Sequence, residues 1–198
     1  MTQAVELNFE LRATALALLI EVDPTAKASQ TRRVLVEHKL QTVTLDTKLN
    51  LVAIAIDAVI PGRPQKPQLV SPLSVKKRSM RTIEGRAALI HALAHIEFNA
   101  INLALDAIWR FADMPADYYT DWLLVASEEA YHFTLLTEHL QTLGYQYGDF
   151  TGHDSLWEMV DRTKDNVLAR MALVPRTMEA RGLDANPLLR SKLAQAGV

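Results

Sequence analysis

The sequence predicts an all-α protein, a helical bundle preceded by an N-terminal helical arm. Three observations carry that expectation. Between Arg81 and Leu143, apolar residues recur at helical spacing in two long stretches, Ile90, Leu93, Ala94, Ile101, Ala104 and Ile108, then Trp122, Ala126, Phe133, Leu136, Leu140 and Leu143. The break between them, Phe111 to Asp117 with Pro115 inside it, is short enough to make a hairpin of neighbouring helices. The chain of 198 residues is 49% apolar and 22% charged, which suffices for one domain with a real core.

In chain order, Val5 to Glu21 predicts a first helix with Leu7, Leu11, Ala15, Leu18 and Leu19 on one side. Asp23-Pro24 ends it, because the residue before a proline is pushed out of the α region. Ser29–Leu40 and Asp46–Val59 are expected to add two short helices, which completes an arm over residues 1–59. Residues 60–80 contain Pro61, Pro64, Pro67 and Pro72, which exclude a regular helix and predict an extended strap. Leu69, Val70 and Leu73 suggest that this strap packs on the bundle.

The bundle is expected over 81–198. Thr82 is the natural N-cap of its first helix and Gly144 the stop of its second. Ser155 and Glu158 match a capping box that opens a third helix running to about Arg181, kinked at Pro175 and stopped by Gly182. Leu188 to Ala196 can form a last short helix.

Each of the two long stripes carries a carboxylate, Glu97 in the first and Glu129 in the second. Glu97 and Glu129 are equally far along the chain from Asp113 in the break, so in an antiparallel hairpin both sit about 24 Å from the turn at ~1.5 Å rise per residue. His132 falls beside Glu129, because positions three apart are neighbours on a helix. A glutamate in a dry interior is costly unless protonated, paired or bound to a cation. Two at one level with an imidazole predict a metal held by Glu97, Glu129 and His132 on the helix-bundle carboxylate template. A buried pairing with arginine would answer the same cost, but Arg86 and Arg110 lie too far along the helix from Glu97 to supply it locally.

Other candidates are subordinate. His91 and His95 have the four-residue spacing of a zinc helix, but Ala92 stands where a zinc protease carries its glutamate. They are expected to support the ligands or to pack. Tyr131 is a neighbouring phenol, either a redox or hydrogen-bonding group at the site or simply a packing residue, and Asn99 and Asn102 are expected to be solvated or to bond between helices. Glu179 shares a face with Leu168, Ala172 and Pro175 and is the best third-helix carboxylate, although a plain antiparallel return brings Ala169 to the level of Glu129. Asp161, on the same face, lies about 27 Å from Glu179 along a straight helix, so both cannot serve one site.

The net charge of −2 gives no bulk reason to bind nucleic acid, and Lys76 to Arg78 with Arg81 make a solvated loop. The absence of cysteine removes disulfides, zinc-thiolate sites and cysteine nucleophiles. No signal peptide is visible, and the apolar run Ala13 to Ile20 is too short to span a bilayer. A cytoplasmic protein without membrane contact is the expectation.

The run Gly85 to Asp106, Glu128-Glu-Ala-Tyr-His-Phe133, Gly148-Asp-Phe150, Leu156-Trp-Glu-Met159 and Val174 to Gly182 together resemble a bacterial family of unknown function with a ferritin-like fold. The resemblance covers most of the chain from Pro61 onward. It implies a four-helix bundle with a dinuclear iron–carboxylate site, manganese being the other candidate metal. Carried over, Glu97 is the first-helix ligand, Glu129 and His132 belong to the second helix and Glu179 to the third. More distantly, the arrangement is similar to di-iron monooxygenases that hydroxylate modified tRNA bases. The template's second Glu-x-x-His is missing before Val198. The chain is therefore expected to be truncated, to borrow a helix from another chain, or to carry a degenerate site. Two functions follow as expectations: an iron or manganese oxidoreductase or hydroxylase, or a metal-free scaffold that dimerises through the face left open.

Overall fold

A computed structural model describes residues 9–51, 59–76, 78–174 and the isolated positions 187, 190, 191, 194 and 195. Its helices are α1 (Leu11–Ile20), α2 (Pro24–Lys39), α3 (Ile83–Arg110), α4 (Ala116–Thr142), α5 (Ser155–Arg162) and α6 (Val167–Leu173), with a 3-10 turn at Pro72–Ser74. Among the described residues there is no strand, only two isolated parallel bridges, Glu10 with Thr44 and Leu69 with Gly152. The protein is all-α. Contacts group it into two compact units, one of residues 1–66 with 96–135, the other of 67–95 with 136–198.

In the first unit α1 begins at Leu11, so Phe9 and Glu10 stand outside the helix expected there, and Val5 to Asn8 lie outside the described residues. Phe9 and Leu11 are bonded to Thr44 through the backbone, and Glu10 is the N-cap, its carboxylate accepting from the Ala13 N–H at 2.7 Å. Leu11, Ala15, Leu18 and Leu19 are buried as expected. The second helix starts earlier than expected, at Pro24. The Asp23 carboxylate accepts from Ala26 N–H at 2.7 Å, so the proline that closes α1 also occupies the first position of α2, where its missing N–H costs nothing. The helix expected from Asp46 does not form over 46–51: the Asp46 carboxylate turns back to the Lys48 N–H, and the Thr47 carbonyl accepts from Asp113 N–H. Residues 52–58 lie outside the described residues.

Two buried cations stitch this unit together. The Arg12 guanidinium donates to the carbonyls of Leu49 at 2.7 Å, Thr47 at 3.2 Å, Ile108 at 3.3 Å and Trp109 at 2.7 Å. It thereby caps the C-terminal end of α3, where a cation is favoured by the helix dipole. The Lys27 ammonium donates to Leu19 O at 3.1 Å, Gly62 O at 3.0 Å and Asn102 Oδ1 at 2.5 Å, over the face of Phe98. Asn102 is thus fully buried and bonded between helices, not solvated.

Burial pushes the Lys27 ammonium down to about 7, with Glu21 opposing and Arg63 reinforcing. Its folded value lies below its unfolded one, so the unfolded chain holds more protons between about pH 7 and 10.5 and stability rises with pH across that window. Lys27→Met takes the ammonium from Gly62 O and Asn102 Oδ1, while Leu19 O keeps the Gly62 N–H. We expect a loss of about 2–4 kcal/mol at neutral pH and a flatter pH dependence, read by urea unfolding.

Gly62 sits where the expected strap meets α1. Its N–H donates to Leu19 O at 2.8 Å, and a Cβ there would lie 1.8 Å from the Ile20 carbonyl oxygen. Pro61, Gly62 and Pro67 are buried, whereas Leu73 is 97% exposed. The strap therefore docks through backbone and prolines rather than through the apolar side chains that suggested packing.

In the second unit, Thr82 accepts the Gly85 N–H at 3.0 Å, as an N-cap should, and Gly144 ends α4 with φ +82°. Ala87, Leu140 and Phe150 form a small core with Ile90, Leu143 and Tyr145 packed against it. The expected long third helix is interrupted. Asp154 precedes α5 without a side-chain cap bond, so the capping box does not form. Thr163 folds its hydroxyl back onto Met159 O, and Asn166 caps a separate α6 by accepting the Ala169 N–H at 2.9 Å. The buried Arg170 ties the two pieces, donating to Thr163 Oγ1 and to Val160 O. Asp161 is exposed and paired with Lys164. Pro175 and Gly182 lie outside the described residues.

Helix α3, with 28 residues, is long and apolar enough to cross a membrane, and 56% of its most apolar window is buried within the protein, as in a core helix.

Candidate metal centre

Glu97 on α3 and Glu129 and His132 on α4 come together. Each offers a ligand atom within 4.8 Å of those of the other two. The His132 Nδ1 stands 3.3 Å from Glu129 Oε2, the contact that the i, i+3 spacing predicts. Next to Glu97 and His132 in the chain, the buried rings of Phe98 and Phe133 meet at 5.8 Å. The apolar stripes that position the cluster are those of the sequence: Ala94, Ile101, Ala104 and Ile108 are buried on α3, and Trp122, Ala126, Phe133 and Leu140 on α4.

The setting differs from the dry interior expected. Glu97 is half-buried, the Glu129 side chain is 25% exposed and that of His132 51% exposed. The three donors sit on the rim of the apolar layer. Burial, a hydrogen bond with Glu129 and the negative charge of Glu129 raise the Glu97 carboxyl to about 8. Two carboxyl groups this close share a proton at neutral pH, a property of the pair. No arginine relieves them among those weighed: Arg110 is committed to Asp106 at 2.6 Å and Arg86 donates to Met80 O.

Tyr131 points away from a buried role. It is 46% exposed, with the Arg32 guanidinium 5.0 Å from its ring. His91 and His95 are buried and hold the segment that follows α4. His91 Nε2 accepts the Gly148 N–H at 2.9 Å, and its ring stacks on Tyr147. Burial, reinforced by His95 and opposed by Asp149, pushes the His91 imidazole down to about 4, which keeps it a neutral acceptor. His95 Nδ1 contacts Tyr147 OH at 2.8 Å and its Nε2 lies 3.1 Å from His153 O. Gly152 leaves room for that ring, since a Cβ would lie 2.7 Å from His95 Nε2. Asn99 is buried as well. Glu179, the expected third-helix ligand, lies outside the described residues.

Sequence reasoning missed Arg12 and Lys27. For Lys27 a signal existed: it lies one turn before Thr31 in a row with Ala28 and Val34, all buried.

The fold and cluster define an all-α protein with a half-exposed carboxylate–histidine group. Residues 20–198 match the family described as Protein of unknown function (DUF455), and the chain belongs to that family. An "Uncharacterized protein" of Haemophilus influenzae (strain ATCC 51907 / DSM 11121 / KW20 / Rd) is 58% identical over 139 residues, which cover 67% of this chain and 48% of the relative. The chain thus spans about half the length of that curated relative. No solved structure matches the chain.

Proposed function

We propose that the chain is a metal–carboxylate protein in which Glu97, Glu129 and His132 hold iron or manganese, serving an oxidoreductase or hydroxylase. The observation that carries this reading is the convergence of three donors within 4.8 Å, two of them carboxyls that repel unless a proton or cation lies between them. Two carboxylates and one imidazole form a mixed oxygen and nitrogen set that suits these ions. A bound redox metal would supply electron exchange and activation of O₂. The chain's own part is to give up the shared proton and to orient His132 through Glu129. The ferritin-like resemblance adds the expectations of a second ion and of Glu179 as a further ligand.

Anaerobic loading with ferrous iron or manganous ion, removal of excess, and elemental analysis test the proposal. We expect at least about one ion per chain, lost in Glu129→Ala. Substoichiometric metal in the parent chain, or equal metal in the variant, would refute it. A metal-free chain that sediments as a dimer would instead favour the scaffold function.

A further inference from the structure

A cavity of about 240 Å³ lies between the C-terminal end of α3 and the segment 48–51, lined among others by Arg12, Lys48, Asn50, Trp109 and Arg110. Three of these side chains are cationic, and no acidic residue among the described residues lines it, although the chain as a whole carries a net charge of −2. We propose that this cavity binds the oxyanion group of a small molecule, a phosphate or a carboxylate.

The three cations play different parts. Arg12 is committed to backbone carbonyls, among them Ile108 O and Trp109 O at the helix end. It covers the negative end of the helix dipole that would otherwise face, and repel, an anion. Arg110 gives its Nε and one Nη2 hydrogen to Asp106, which fixes the guanidinium over Trp109 and leaves both Nη1 hydrogens uncommitted among the described residues. Lys48 is exposed at the cavity, and among the described residues its ammonium has no hydrogen-bond or ion-pair partner. A fixed guanidinium fork and a mobile ammonium are the two donor types that hold oxyanions. The volume lies below the usual range for drug-sized ligands, so the bound molecule is small.

Calorimetric titration of the full chain, stripped of metal with EDTA and then dialysed into metal-free buffer without chelator or anionic buffer, tests this with inorganic phosphate, glycerol 3-phosphate and succinate. Saturable binding of at least one, with Kd of about 1 mM or tighter and weakened ~10-fold or more in Lys48→Glu, is expected. Preference for free phosphate would mark the ion itself as the ligand, and preference for the ester or the dicarboxylate an organic body inside the cavity. Absence of saturation with all three, or equal affinity in Lys48→Glu, would overturn the proposal. Because Lys48 has no partner to lose among the described residues, the variant should unfold at the same temperature as the parent without ligand.

Discussion

Replacing Arg12 by alanine should lower stability by about 3–5 kcal/mol, among the largest effects of any single substitution in this chain. The side chain is 2% exposed, and its removal strands the carbonyls of Leu49, Ile108 and Trp109, while Thr47 O keeps the Asp113 N–H. Each unpaired buried carbonyl costs about 1–3 kcal/mol, and partial relaxation keeps the total below their sum. Arg12→Lys should recover only part of the loss, because one ammonium cannot reach acceptors spread around a planar fork. The denaturation midpoint in guanidinium measures both variants. A change below about 1 kcal/mol in Arg12→Ala would show that water replaces the guanidinium freely.

Metal affinity should climb steeply with pH, by up to about tenfold per unit between pH 5 and 8. The Glu97 carboxyl lies at about 8 in the folded chain, against about 4.5 for an ordinary glutamate. Its folded value is raised, so its contribution to stability is full below about pH 4.5 and is lost as pH rises through about 8. The metal-free chain should therefore weaken across that interval, as the pair loses its shared proton, and a cation should restore it. Binding displaces the proton, so buffers of different ionisation enthalpy should report close to one proton released per ion near pH 6.5. Glu97→Gln should flatten the stability profile and abolish tight binding together. A variant that does the first without the second would show that Glu97 is not a ligand.

The helices α3 and α4 were legible because their stripes are long and their ends carry Thr82 and Gly144, local signals that tertiary contacts do not override. The convergence of Glu97, Glu129 and His132 was legible for a related reason: helical rise and periodicity place residues without knowledge of anything else. What failed depended on distant partners. Nothing near Arg12 announces that its acceptors are carbonyls of residues 108 and 109. The Ser155 capping box loses to the backbone, since the Glu158 N–H goes to the Asp154 carbonyl, and the run expected beyond it ends where Thr163 turns back on α5 and Asn166 caps a separate helix. Pro24 reads as a terminator in sequence, but its missing N–H equally suits a helix start. The dry interior expected around the carboxylates also failed. Periodicity gives the direction of a side chain but not the thickness of the layer above it.

The 51% exposure of His132 has a consequence for how a cation would come and go. A centre sealed inside a core is filled during folding and emptied by unfolding. Here the imidazole and one carboxylate already face the solvent, so ions would exchange on the finished molecule. A chelator should strip it within minutes while circular dichroism stays constant, and the occupant should follow whichever ion its surroundings keep most abundant.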